Sequence, residues 1–123
     1  MATQNDHTRT FPANAAMSAF RLVALSSNGG VGVNPATSAG VGILQNDVIQ
    51  DDARGAVVRL PGAGSYKIAI TGAVTAGNLL YAAASGYAAA TGTIGIGLRS
   101  VESASGDNSI VEATPVFSDN SGL

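Results

Sequence analysis

The chain has no cysteine and no tryptophan, a single histidine, and only six phenylalanine and tyrosine residues among 123. Without cysteine there is neither a disulfide nor a thiolate site, which leaves the compartment open and is consistent with assembly in a reducing cytoplasm. Charge is equally scarce: 11% of residues are charged and the formal net charge is -2. The five arginines and one lysine are dispersed and not interleaved with aromatics, so neither a basic nucleic-acid face nor a base-stacking platform is present. The opening residues, MATQNDHTRTFPANAA, lack a basic region followed by an apolar one and do not read as a signal peptide. Long hydrophobic runs are missing too. The uncharged stretch from Ala69 to Leu98 is broken by Gly72, Gly77, Gly86, Gly92, Gly95 and Gly97, which argues against a membrane span.

The groups that chemistry requires are thin. His7 lies in a polar terminal segment where no pocket is expected to form. Asp47, Asp51 and Asp52 could suggest a cation loop, but NDVIQDDARG lacks the alternating oxygen ligands and turn glycine of such a loop, and a solvated loop is the better reading. The pairs Gly30/Gly32, Gly40/Gly42, Gly62/Gly64 and Gly95/Gly97 lack the third glycine of a dinucleotide fingerprint and the lysine of a phosphate loop. No catalytic residue, metal or cofactor is expected, and the chain reads as a non-enzyme.

What is present is 46% apolar residues, mostly small, in short period-two segments separated by turn signals. Asn28-Gly29 separates FRLVALSS from VGV, and Ser85-Gly86 separates NLLYAAA from YAAAT. Gly62 to Ser65 separates AVVRL from YKIAI, and Ser105 to Asn108 separates LRSVES from SIVEATPVF. This spacing predicts an all-β fold, a small single-domain barrel or sandwich-like knob. The segment PANAAMSAF fits either one amphipathic helix or extended chain. An internal repeat is suggested by Val41-Gly42-Ile43 followed by Val57-Val58, and Ile94-Gly95-Ile96 followed by Ile110-Val111, at an offset of 53.

The order of MSAFRLVAL, AGVGILQNDVIQDDARGAVVRL, SYKIAITGAVTAGNLLYAAASGYAAA and IGIGLRSVESASGDNSIVEA resembles the small capsid decoration, or cement, proteins of tailed double-stranded-DNA bacteriophages. The matching positions are Gly42 to Asn46, Val57 to Leu60, Ala73 to Gly77, Leu80-Tyr81 to Gly86, and Ile94 to Leu98 with Ile110 to Glu112. The resemblance implies a homotrimeric or monomeric knob on the outer surface of the capsid, made in the host cytoplasm, bridging major capsid proteins at three-fold or quasi-three-fold sites against internal DNA pressure. Its partner would be the major capsid protein, not nucleic acid or membrane.

Three segments follow: an N-terminal capsid-binding arm over 1–16, a β-rich decoration domain over 17–117 and a polar tail over 118–123. The arm would bind by strand addition through Thr8, Arg9 and Thr10, with Phe11 as apolar anchor and Pro12 ending the pairing. The alternative is a small carbohydrate- or cell-surface-binding β module of a virion spike or fibre.

Overall fold

The computed structural model describes residues 8–49, 52–60, 64–106 and 109–116, with the main chain alone over 52–54. The fold is all-β, as the alternation predicts. Strands β1 (Thr8–Ala13), β2 (Leu22–Leu25), β3 (Val31–Val33), β4 (Gly42–Leu44) and β5 (Asp52–Arg59) close into a barrel in the order β1-β3-β2-β4-β5. Strands β6 (Tyr66–Ala69), β7 (Leu79–Ala82), β8 (Ala88–Ala89), β9 (Gly95–Ser100) and β10 (Ile110–Pro115) form a second sheet ordered β6-β10-β9-β7-β8. That sheet curls until Ile70, just past β6, bridges Ala88 of β8. Among the described residues the sole helical element is one 3-10 turn, Ala84–Gly86, and no helix is long and apolar enough to cross a membrane.

The turn chemistry follows the sequence. Ser85 and Gly86, at φ 61 and 80, supply the left-handed pair that a tight β7–β8 connection needs. Gly29, at φ 86, turns β2 into β3 within a loop held by the Ser26 N–H on the Gly30 carbonyl at 2.8 Å.

The second sheet repeats much of the barrel's pairing. The bridge Met17↔Val48 recurs as Val74↔Ala104, and the parallel closure Ala13↔Val31 recurs as Ile70↔Ala88. Leu22↔Ile43 recurs as Leu79↔Arg99, and Thr10↔Val57 recurs as Lys67↔Glu112. Loop contacts recur as well: the Ala19 N–H donates to Asp47 Oδ1 at 2.8 Å, as the Ala76 N–H does to Ser103 Oγ at 2.9 Å. The Val57 N–H donates to Asn46 Oδ1, and the Glu112 N–H to Glu102 Oε1, both at 3.0 Å. The offset is 57 residues from Ala13 to Ile70, 56 from Ile43 to Arg99 and 55 from Val57 to Glu112. A repeat therefore exists, but not at 53. The Ile-Gly-Ile similarity aligned Ile43 with Ile96, whereas the ladder makes Arg99 its counterpart, because equivalence is set by backbone pairing and not by recurrence of small apolar triplets.

Each half has its own core. The barrel buries Ala13, Met17, Val23, Val31, Leu44, Val48, Ala56 and Val58. At the equivalent positions of the second half Ala13 becomes Ile70 and Ala56 becomes Val111, while Val31 becomes Ala88 and Val58 becomes Ala113. Gains and losses of volume offset one another, which lets one architecture hold two different interiors. Period two then joins the halves. Val23 and Leu44 point into the barrel, so their neighbours Leu22 and Ile43 point out of it and are buried in the core of the second half.

The reading of PANAAMSAF as a helix does not hold. Thr8 to Phe11 pair antiparallel with Arg59 to Ala56, and Pro12 sits where the register slips before Ala13 pairs with Asp52. A proline without an N–H is tolerated at such an irregularity. Phe20 then turns the chain with φ 68, at the position that Gly77, φ 96, holds in the second half. A left-handed conformation is uncommon for a bulky residue. It persists here because both backbone groups of Phe20 are bonded: its N–H donates to the Leu44 carbonyl and its carbonyl accepts from the Ala69 N–H, both at 2.7 Å.

Candidate interaction surface

The first candidate surface is β1. Of the five residues expected to bind, Thr8, Arg9, Thr10 and Pro12 are exposed and Phe11 is half-buried, all on one barrel strand. The expectation of an arm separate from the β-domain is corrected for residues 8–13, which are part of the barrel; residues 1–7, His7 among them, lie outside the described residues. The physical reason is that Thr8 to Phe11 find ladder partners in β5, while Phe11 packs on the barrel core. Strand addition by Thr8 to Thr10 is thus already satisfied on one side within the chain. Toward β3, the pairing of β1 among the described residues is the single position Ala13↔Val31. The Arg9 guanidinium lies 5.3 Å from the Phe11 ring centroid, so this strand presents a cation set on an apolar base.

The second candidate is the seam between the halves. On one side it holds a cavity of about 310 Å³ whose lining includes Leu22, Val41, Ile43, Arg59, Tyr66 and Leu98. No carboxylate, thiol or imidazole lines it, and its ionisable side chains are Arg59 and Tyr66. Arg59 spans the seam: its guanidinium stacks on the Tyr66 ring at 4.2 Å and Nη1 donates to the Ser65 carbonyl at 2.6 Å. Ser65 in turn donates from Oγ to Glu112 Oε2.

Arg21 makes a parallel link elsewhere along the seam. It stacks on Tyr87 at 4.0 Å and donates to the Tyr87 hydroxyl at 2.7 Å and to the Ser85 carbonyl at 3.1 Å. Beside it the Gly86 N–H donates to the Asn34 carbonyl at 2.9 Å. Sequence reading found the arginines dispersed and not interleaved with aromatics. The fold supplies aromatic partners to three of them, and two of the three stacks join the halves. The signal was hidden by distance, since Arg21 and Tyr87 are 66 positions apart.

The acidic group does not assemble. Asp47 spends one carboxylate oxygen on the Ala19 N–H, Asp51 lies outside the described residues, and Asp52 is described by its main chain alone. Among the described residues no group of three or more His, Cys, Asp or Glu side chains could hold a metal ion.

The fold has a match among solved structures. Over 88% of this chain and 92% of the other, it is similar to "the crystal structure of head fiber gp8.5 N base in bacteriophage phi29", with a TM-score of 0.73 and 18% sequence identity. At that identity the likeness is one of fold. No protein-family model matches the chain, and no curated protein matches it either.

Proposed function

We propose that this chain is a structural protein of a bacteriophage head, an all-β knob that sits on the outside of the capsid and reinforces it. The observation that carries the reading is the fold shared with a phage head fiber base over nearly the whole of both chains. The resemblance of its segment order to capsid decoration proteins points the same way. So does the character of the surfaces, which are built for broad contact between small side chains instead of for a reacting centre.

In this reading the partner is the major capsid protein, bound at three-fold or quasi-three-fold positions by a homotrimer. The exposed side of Thr8, Arg9, Thr10 and Pro12 touches the shell as a preformed strand. A strand already paired within its barrel avoids most of the ordering cost that a free arm would meet, roughly 1–2 kcal/mol per residue. Repeated copies bridging adjacent capsid subunits make each further contact effectively intramolecular.

A second reading takes the chain as the anchoring base of a fibre or spike that carries a binding function elsewhere, which the identity of the matched structure favours. Adding purified protein to expanded capsids that lack it tests the main reading. Saturable co-sedimentation at a fixed ratio to the major capsid protein supports it, and absence of binding under conditions where the protein is folded contradicts it.

A further inference from the structure

Because the paired positions of the two halves correspond, the seam that joins them defines what would be needed to add another copy at either outer face. Among the described residues, five of its interactions can be transferred to the outer faces. The Ala69 N–H donates to the Phe20 carbonyl at 2.7 Å, and the Gly86 N–H donates to the Asn34 carbonyl at 2.9 Å. Arg21 stacks on Tyr87, and Arg59 stacks on Tyr66. Finally, Leu22 and Ile43 enter the core of the second half.

Transferring each by the repeat offset shows what the outer face of each half offers in its place. The counterpart of Ala69 is Pro12, which has no N–H to donate. The counterpart of Phe20 is Gly77, whose carbonyl is occupied by Arg99 Nη1 at 2.7 Å. Arg99 is itself the counterpart of Ile43, so one exposed side chain both removes the apolar residue and takes the acceptor. The counterpart of Gly86 is Gly29, whose N–H is bonded to Ser26 O at 2.9 Å. Both stacks are lost: Arg21 and Tyr87 correspond to Asn78 and Gly30, and Arg59 and Tyr66 to Thr114 and Arg9. Only Leu22 keeps its character, as Leu79, and Leu79 is 41% exposed.

We propose that the tandem is capped at both ends, with Pro12 at one and Arg99 at the other keeping a second copy of this chain from extending it head to tail. A repeat array needs such ends, since an uncapped unit presents the surface that binds the next one. A seam that propagated would be heterologous and open-ended, the geometry of a filament. This inference stands on the repeat geometry and does not depend on the virion reading.

The test reinstalls the seam at the ends. A variant carrying Arg9→Tyr, Pro12→Ala, Arg99→Ile and Thr114→Arg restores the backbone donor, frees the Gly77 carbonyl, returns the apolar side chain and rebuilds one stack. Sedimentation velocity over a wide concentration range reads the result, with circular dichroism confirming the β-fold. The natural chain is expected to give a discrete mass, and the variant an open-ended series whose average mass at least roughly doubles as concentration rises. If the four-site variant does not fold, Pro12→Ala with Arg99→Ile carries the same test. A folded variant with the mass distribution of the natural chain would overturn the proposal. So would a natural chain that grows without limit, or a natural oligomer that Leu79→Glu dissociates.

Discussion

Two residues at equivalent positions have opposite surroundings, which makes single substitutions informative. Leu22 is 3% exposed in the seam and Leu79 is 41% exposed at the free end. Leu22→Ala should cost about 2–4 kcal/mol through lost burial and a residual cavity. Leu79→Ala should cost less than about 1 kcal/mol. Urea unfolding of the two variants checks the contrast, and equal losses would contradict the seam.

Backbone conformation gives a second pair of adjacent positions. Ser85 holds φ 61 on the surface, so Ser85→Gly should stabilise by about 0.5–1 kcal/mol as the left-handed strain is relieved. A Cβ at Gly86, by contrast, would stand 2.7 Å from the Leu22 carbonyl oxygen and 3.0 Å from the Arg21 Cβ, at φ +80. Gly86→Ala should therefore destabilise by more than about 2 kcal/mol and loosen the seam. Thermal unfolding of both variants measures opposite signs at neighbouring residues.

At the scale of elements, the alternating strands and most turns were legible because they depend on local residue choice. Asn28-Gly29 and Ser85-Gly86 carry the φ values that their turns require. What was not legible depends on partners far along the chain. Thr8 to Phe11 are polar enough to pass for a free arm, and nothing local to them announces that β5, more than forty residues on, completes their ladder. Pro12 suggested a helix start when read with Ala13 and Ala16, yet it marks a register slip in a strand. The repeat was visible in kind but misplaced, since its strictest matches are hydrogen bonds between dissimilar residues such as Asp47 and Ser103. The inter-half stacks of Arg21 and Arg59 leave no sequence pattern at all.

The placement of β1 changes what a truncation should do. Removing residues 2 to 12 takes away the strand that closes the barrel, and should abolish the cooperative unfolding transition of the first half. Removing residues 2 to 7 leaves β1 in place, and should keep the transition within about 1 kcal/mol of the full chain. Guanidinium melts of the two truncations, followed by circular dichroism, check this. If the longer truncation melts like the full chain, β1 is not integral to the barrel.

For the whole molecule, a closed barrel and a curled sheet, each with its own core cluster, are held together by a seam of backbone bonds, two guanidinium stacks and the burial of Leu22 and Ile43. A chain rich in alanine buries little area per residue, so tandem packing supplies contact that neither half has alone. In the proposed reading, a knob with capped ends suits a protein that is bound to a capsid. The measurement that tests this most directly is cryo-electron microscopy of phage heads assembled with and without the gene for this chain. The account predicts density for the barrel and curled sheet on the outside of the capsid at three-fold or quasi-three-fold positions, present in the first sample and missing from the second. Heads with the same outer surface in both samples would contradict it.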